Sequence, residues 1–308
     1  MSQKTILEII NDGAIKTATL AAVGAQRAIR SASRAAPDTN LTKGDSNVGH
    51  HAIVTTGDTA SEQSILEEIS RRHPEAHVLT EEGGSKQFQS LVIREKDLDK
   101  LVDYPIVFGI DPIDGSSQFE RGLHEWSVSV GVMRNGVHVG GAIYAPEVRG
   151  TLVVGEQSTG VFVGRSGQRK LEKCSVIDRP IRDRLVAFGP DIFFIPAFSR
   201  FVIETSKKIR TTNNAGSCAL GLALVATGQL DALVEPVQCP WDWFAGWPLV
   251  EEAGGKVIFY HYGDDVPVRI DKLEPDAYSP SHRNVAFIAA GPECAEELFE
   301  ELENSWGE

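Results

Sequence analysis

The stretch that most constrains this chain is a strand running into Asp111-Pro112-Ile113-Asp114-Gly115-Ser116-Ser117. Ile106-Val107-Phe108-Gly109-Ile110 reads as a buried strand, and it delivers two carboxylates three positions apart. Pro112 fixes its own φ and removes one donor, so the turn is stiff. Gly115-Ser116-Ser117 can then open a helix whose first N–H groups form an anion site. One short turn thus offers carboxylates to a hard cation and amides to a phosphate. Taken alone, the Asp-x-x-Asp spacing is equally an acidic β-turn with Asp and Ser as turn and cap residues.

Around this turn the chain divides in two. At 308 residues it has room for one large domain or two lobes, and it buries enough surface to fold without a disulfide or structural metal. A first helix is expected from near Thr5 to near Ser33, then a polar loop from Pro37 to His51. Asp58, Thr59 and Ser61 start a second helix, and His77-Val78-Leu79 is a short strand ending at Glu81-Glu82. From Trp126 to Val132 the pattern has period two, and Asn135-Gly136 signals a hairpin. The charged, proline-containing segment from Asp178 to Arg184 marks the junction, giving lobes at 1–182 and 183–308. Beyond it strands and helices alternate, with a helix expected from Asp242 to Ala253 closed by Gly254-Gly255. The class is α+β, in layers.

Composition narrows the partners. A formal charge of −13 disfavours a nucleic-acid duplex. An anionic substrate would therefore need local cations, from Arg, Lys or metal ions. Cys174, Cys218, Cys239 and Cys294 form no CxxC and no zinc spacing, so they read as reduced thiols in a cytoplasmic protein. No apolar run is long enough to cross a membrane. Lys16 to Arg34 has the basic, Ala-rich look of a transit peptide, but Glu8, Asp12 and the apolar stripe favour a structural helix.

Three further carboxylate positions accompany the turn. Each has a plain reading: Glu81-Glu82 as a solvated loop, Asp242 and Asp58 as helix caps. His73 and His77, interrupted by Pro74, read as an exposed helix end, and His50-His51 as loop. No GxGxxG, P-loop or GxSxG is present.

In combination these residues say more. The order Asp58, Glu81-Glu82, Asp111-Pro112-Ile113-Asp114-Gly115-Ser116 and Trp241-Asp242-Trp243-Phe244-Ala245-Gly246 resembles the signature of the inositol monophosphatase family. That family belongs to the magnesium-dependent, lithium-sensitive phosphatases, which include fructose-1,6-bisphosphatase. The resemblance extends to Trp126–Gly141, to Ala215-Gly216-Ser217-Cys218-Ala219-Leu220 and to Val250–Gly255. It implies a layered α/β/α/β/α sandwich and a homodimer.

The resemblance also implies roles. Glu81, Asp111 and the Ile113 carbonyl would hold one Mg²⁺. Asp111, Asp114 and Asp242 would hold a second. Glu81 would support a third, weaker ion, with Glu82 behind it. Gly115 and Ser116 would offer amides to the phosphate. Asp58 and the Ser116 hydroxyl would orient and deprotonate a metal-activated water. Gly216, Ser217, Cys218 and Glu235 match positions that contact the substrate's alcohol, with Glu235 placed just after a strand from Leu230 to Val234. Ser116 replaces a usual Thr, and Gln118 a usual Asn. Lys43 is a candidate for an upstream family lysine and is left out of the site.

The implied activity is hydrolysis of a small phosphorylated polyol, such as inositol monophosphate or another cyclitol or sugar phosphate. The alternatives are fructose-1,6-bisphosphatase, histidinol-phosphatase, 3′-phosphoadenosine phosphatase, or a non-catalytic regulator that binds a phosphorylated ligand. A bisphosphate or nucleotide would need extra cations or an aromatic platform, for which Arg121, Arg210 and Trp243 are the candidates.

Overall fold

The computed structural model describes residues 8–32, 54–165, 168, 170–214, 216–263, 266–279 and 285–306. Lys43, His50, His51 and Ala215 lie outside them. The first helix is not continuous. Residues 10–12 leave the helical conformation, and α1 (Gly13–Ser31) starts afresh with Asp12 as its N-cap. Asp12 accepts from the Ala14 and Ile15 amides, and Arg134 pairs with it at 2.6 Å. Capping at Asp12 satisfies helix-start donors, and this local gain overrides the apolar periodicity that runs through it.

α2 (Thr56–Arg72), β1 (His77–Thr80) and β2 (Ile106–Asp114) follow. Then come α3 (Ser116–Glu120), β3 (Ser127–Arg134), β4 (Val137–Ala145), β5 (Thr151–Glu156), β6 (Gly160–Gly164) and β7 (Glu172–Cys174). These strands form one seven-stranded sheet in chain order, antiparallel except for the parallel β1–β2 pair. The second part contains β8 (Leu185–Phe188), α4 (Ser199–Lys208), β9 (Thr211–Asn213), α5 (Cys218–Ala226) and β10 (Ala232–Gln238). It closes with α6 (Pro240–Trp243), α7 (Gly246–Glu252), β11 (Lys256–His261), β12 (Val268–Arg269), β13 (Val285–Ala290) and α8 (Pro292–Ser305). Its six strands run β12-β11-β13-β10-β8-β9.

Three cores set the layers. Ile15, Ala18, Ile65 and Leu66 of α1 and α2 pack on Phe108, Val130 and Val132 of the first sheet. The opposite face, with Val107, Met133 and Ile143, meets Leu222 and Leu249 of α5 and α7, and these also back Leu233 and Phe287 of the second sheet. Phe201 of α4 and Leu298 of α8 cover the far side of that sheet. The order is helix, sheet, helix, sheet, helix, as expected.

A row of glycines explains how closely the middle layer approaches. Gly109, Gly131, Gly141 and Gly155 sit side by side on four adjacent strands. A Cβ at Gly109 would lie 2.2 Å from the Phe244 ring, and one at Gly155 would lie 2.6 Å from Leu249. At Gly131 the obstacle is backbone, with Ala245 N at 2.7 Å. The row is a trench in which the Phe244–Leu249 segment is seated. Gly131→Ala should therefore cost about 1–3 kcal/mol by overpacking, because a backbone cannot swing aside like a side-chain tip. A thermal melt superimposable on wild type would show that the seat is looser than this.

Candidate active site

The trench sets the site. Val107, Gly109 and Asp111 share one face of β2, since successive side chains alternate. Phe244 fills the gap at Gly109, and Asp242, two residues earlier, is thereby carried to Asp111. The expected helix from Asp242 to Ala253 is in fact two helices, α6 and α7, with the break at Phe244 and Ala245 where the chain enters the trench. Asp242 is not an N-cap. Cys239 caps α6, and the Cys239 amide donates to Asp242 Oδ2 at 2.8 Å.

Asp111 and Asp114 would point to opposite faces of a regular strand. A β-bulge corrects this: Asp111 pairs with Ser129 and Asp114 with Ser127, so three steps on β2 match two on β3. Pro112 sits in the bulge, where no ladder donor is needed. Ser61 of α2 donates to the Pro112 carbonyl at 2.7 Å and ties the bulge to that helix. Carboxylate oxygens of Asp111, Asp114 and Asp242 consequently lie within 4.8 Å of one another.

Electrostatics follow from this crowding. Burial pushes Asp111 well above the ordinary carboxylate range, and the charges of Glu81, Asp114 and Asp242 push it further. Burial, then Asp242, lifts Asp114 to about 7, against hydrogen bonds that favour its charged form. Those bonds come from the Ser217 hydroxyl at 2.6 Å and the Cys218 and Ala219 amides at the start of α5. Asp111 Oδ1 is buried and has no hydrogen-bond partner.

Asp58 is fully buried in the first turn of α2, but the N-cap is Thr55, which forms a capping box with it. Thr55 N and Oγ1 donate to Asp58 Oδ2 at 2.7 and 2.5 Å. Its other oxygen, Oδ1, lies 3.0 Å from the Ser116 hydroxyl, which is also 2.9 Å from the Ile113 carbonyl. Burial raises the Asp58 pKa, opposed by the Thr55 and Ser116 hydrogen bonds. Gly115 caps α3 at φ 92°, and a Cβ there would press on the Glu125 and Gly216 carbonyls at 3.0 Å.

Sequence reasoning missed Glu62. Its buried carboxylate accepts from Thr80 Oγ1 at 2.7 Å and from the Gly84 amide at 3.2 Å, bracketing Glu81 and Glu82. Its position, one helical turn after Asp58, was the available signal. Gln118, which stands where the family usually has Asn, is a second such residue. Its amide, turned to donate, reaches the Gly216 carbonyl at 2.9 Å and the Gly115 carbonyl at 3.3 Å, joining the two loops.

A pocket of about 80 Å³ adjoins the triad, lined among others by Asp114, Gly189, Asn214, Ser217, Glu235 and Gln238. Gly216 and Cys218 line it too. Glu235 lies within β10 rather than after it, and at 2% exposure it is no solvated strand end. Trp243 is fully buried, stacked on Phe244 and edge-on to Trp247 and Phe259, so it offers no platform to a base. Arg121 and Arg210 are exposed and do not line the pocket. His73 caps the end of α2 and His77 stacks on Tyr104 at 3.7 Å.

The family model described as the inositol monophosphatase family matches residues 11–305. The chain belongs to the inositol monophosphatase family. It is 30% identical over 217 residues to the fructose-1,6-bisphosphatase/inositol-1-monophosphatase of Thermotoga maritima, covering 69% of this chain and 73% of that protein. It is 29% identical over 221 residues to the Nus factor SuhB of Xylella fastidiosa, covering 71% and 73%. The solved inositol monophosphatase from Anabaena (Nostoc) superimposes with a TM-score of 0.67 at 25% identity, covering 94% of this chain and 95% of that one. The chain is thus an inositol monophosphatase family phosphatase. Its acidic cluster fits a metal ion: the donors are all oxygen, three carboxylates crowd together, and Asp111 Oδ1 is an orphaned buried acceptor. No helix among the described residues is long and apolar enough to cross a membrane.

Proposed function

We propose that this chain hydrolyses monophosphate esters of small polyols, inositol monophosphate or a similar cyclitol or sugar phosphate, with Mg²⁺ as cofactor. The observation that carries this reading is the oxygen-only triad of Asp111, Asp114 and Asp242 beside the buried Asp58–Ser116 pair. Asp111, Asp114 and Asp242, with Glu81 and the Ile113 carbonyl, would hold the metal, and Glu82 stands behind Glu81. Mg²⁺ there supplies charge neutralisation for the phosphate and lowers the pKa of water. Gly115 and Ser116 present amides at a helix start to the phosphate oxygens. The Ser116 hydroxyl takes the proton of the attacking water while passing its own to Asp58 Oδ1. The water oxygen bonds to phosphorus as the P–O bond to the alcohol breaks, and the departing alkoxide takes a proton from a solvent water, to which Asp58 in turn returns its own, as the alcohol leaves towards the pocket of Gly216, Ser217, Cys218 and Glu235.

The pocket's chemistry favours a monophosphate. Its carboxylates, Asp114 and Glu235, would face the second phosphate of a bisphosphate, and among the described residues no Lys or Arg lines it. The Thermotoga relative's double name keeps fructose-1,6-bisphosphate in the test, and the Xylella name keeps a regulator without turnover. Phosphate release from a panel of phosphorylated polyols, bisphosphates and nucleotides, with Mg²⁺, decides among them. Turnover of inositol monophosphate above fructose-1,6-bisphosphate is expected, and no release from any compound would favour the regulator. We further propose a cytoplasmic homodimer, which light scattering on the purified protein would test for assembly.

Glu235 carries the expected selectivity. A buried acceptor built for a hydroxyl discriminates strongly against a substrate lacking one. Glu235→Ala should lower the ratio of kcat/KM for inositol monophosphate to that for p-nitrophenyl phosphate by about tenfold or more. Equal losses on both substrates would place Glu235 with the metal or structural residues instead.

A further inference from the structure

Gln238 follows Glu235 by three positions on β10, a spacing that in a regular strand puts two side chains on opposite faces. The structure places them in contact: Gln238 Nε2 donates to Glu235 Oε2 at 2.8 Å, and both residues line the pocket. The cause is a second β-bulge. Glu235 pairs with Phe287 and Gln238 with Val285, so three steps on β10 match two on β13. Pro236 sits inside this bulge, as Pro112 sits inside the bulge of β2. Asp111-Pro112-Ile113-Asp114 and Glu235-Pro236-Val237-Gln238 are therefore the same device, one in each sheet.

The place of the Glu235 carboxylate is fixed from a second side. Gly189, at the end of β8, donates its amide to the Val234 carbonyl at 2.9 Å and so lies against Glu235. A Cβ on Gly189 would stand 1.7 Å from Glu235 Oε2. The backbone there, φ −60° and ψ 146°, is one any residue adopts, so the Glu235 carboxylate is the nearest obstacle to a side chain at this position. Among the described residues, Gln238 is the one side-chain donor to this carboxylate. With Oε2 held by the amide and wedged against Gly189, the remaining acceptor capacity is left for the pocket.

We infer that Gln238 is a positioning residue for substrate choice: its amide, across the Pro236 bulge, holds the Glu235 carboxylate in the one orientation that reads a substrate hydroxyl. The inference rests on the reading of Glu235 as the hydroxyl acceptor. It adds a group that no motif of the chain pointed to, and Gly189 as the space that makes its effect possible.

The test measures kcat and KM for inositol monophosphate and for p-nitrophenyl phosphate in the Mg²⁺-loaded protein. Gln238→Met keeps the volume and removes the donor. Gly189→Ala leaves the amide and displaces the carboxylate, so the two variants reach one prediction by separate routes. Each should lower the selectivity ratio about tenfold, the size of one hydrogen bond, with the loss in KM rather than kcat. Melting temperatures check that both fold. The Glu235→Ala/Gln238→Met double variant should show the ratio of Glu235→Ala alone. Wild-type ratios in both single variants, with Glu235→Ala still impaired, would overturn the role of Gln238 and leave that of Glu235 standing. A further fall in the double variant would overturn it too, making Gln238 a direct substrate contact. An unchanged ratio in Glu235→Ala would overturn the underlying reading of the pocket first.

Discussion

Asp111→Asn is expected to abolish phosphate release and to remove most of the rise in melting temperature that Mg²⁺ gives the wild-type protein. The reason is charge crowding. Asp111 is buried, and Asp114, Asp242 and Glu81 all raise its pKa. At about 4 Å and an effective dielectric of 20, each like-charged pair costs roughly 4 kcal/mol before relaxation and screening. A cation that binds the native state and not the unfolded chain removes this repulsion and stabilises the fold. Asparagine removes one charge outright, so the metal-free variant should melt higher than the metal-free wild type. The pH dependence has a definite sign. The folded-state pKa values of Asp111 and Asp114 are raised, the latter to about 7, so the folded state binds more protons than the unfolded one. Their contribution to metal-free stability is fully present below the unfolded carboxylate pKa, about 4, and is lost as pH rises through about 7. Protons compete with Mg²⁺ for the same oxygens, so the Mg²⁺ shift should grow across that window. Calorimetry with Mg²⁺ and with EDTA on both proteins reads all of this. A full-size Mg²⁺ shift in Asp111→Asn would take Asp111 out of the metal site.

How much of this was legible before folding depends on how far apart the cooperating residues lie. Asp111 to Ser117 is contiguous, so the strand, the stiff turn and the helix start could be read from one window. The meander from Ser127 to Gly164 was legible because its turns are local and its register follows from them. Asp242 was recognisable as part of a pattern, but its seat was not. That seat needs Gly109, Gly131, Gly141 and Gly155 in one row, which is a property of strand register and of no single segment. The break between α6 and α7, by contrast, was open to reading: Pro248 has no N–H to donate to the Phe244 carbonyl four residues earlier, so the ladder lapses there although Phe244 and Ala245 keep helical dihedrals. Asp12 shows the opposite error. There a local cap interrupts a stripe whose periodicity continues, and periodicity alone cannot see it. The Gln238–Glu235 contact was hidden because period two places those side chains on opposite faces, and only the partner strand's register reveals the bulge.

Ser116→Ala should lower kcat by roughly 10²–10⁴-fold, the range of general acid–base effects. Ser116→Thr should stay active, because it keeps the hydroxyl. The structure gives the reason for treating Ser116 and Asp58 as one unit. Asp58 divides its two oxygens: Thr55 holds Oδ2 through the capping box, and Oδ1 is left to Ser116. A proton leaving water for the Ser116 hydroxyl therefore has a fixed onward acceptor, and neither residue can do the work of the other. Thr55 is what makes the orientation permanent, since rotating the carboxylate would break both of its bonds to that residue. In a unit of this kind, losing either member forfeits most of the effect. The Asp58→Asn/Ser116→Ala double variant should then cost far less than the product of the single losses. Metal binding supplies an internal control, since the Mg²⁺ shift in melting temperature reports on the triad and not on proton transfer, and Ser116→Ala should retain it. Multiplicative losses in the double variant would separate the two residues. Loss of the Mg²⁺ shift in Ser116→Ala would instead assign the hydroxyl to holding the Ile113 carbonyl, 2.9 Å away, and with it the metal site.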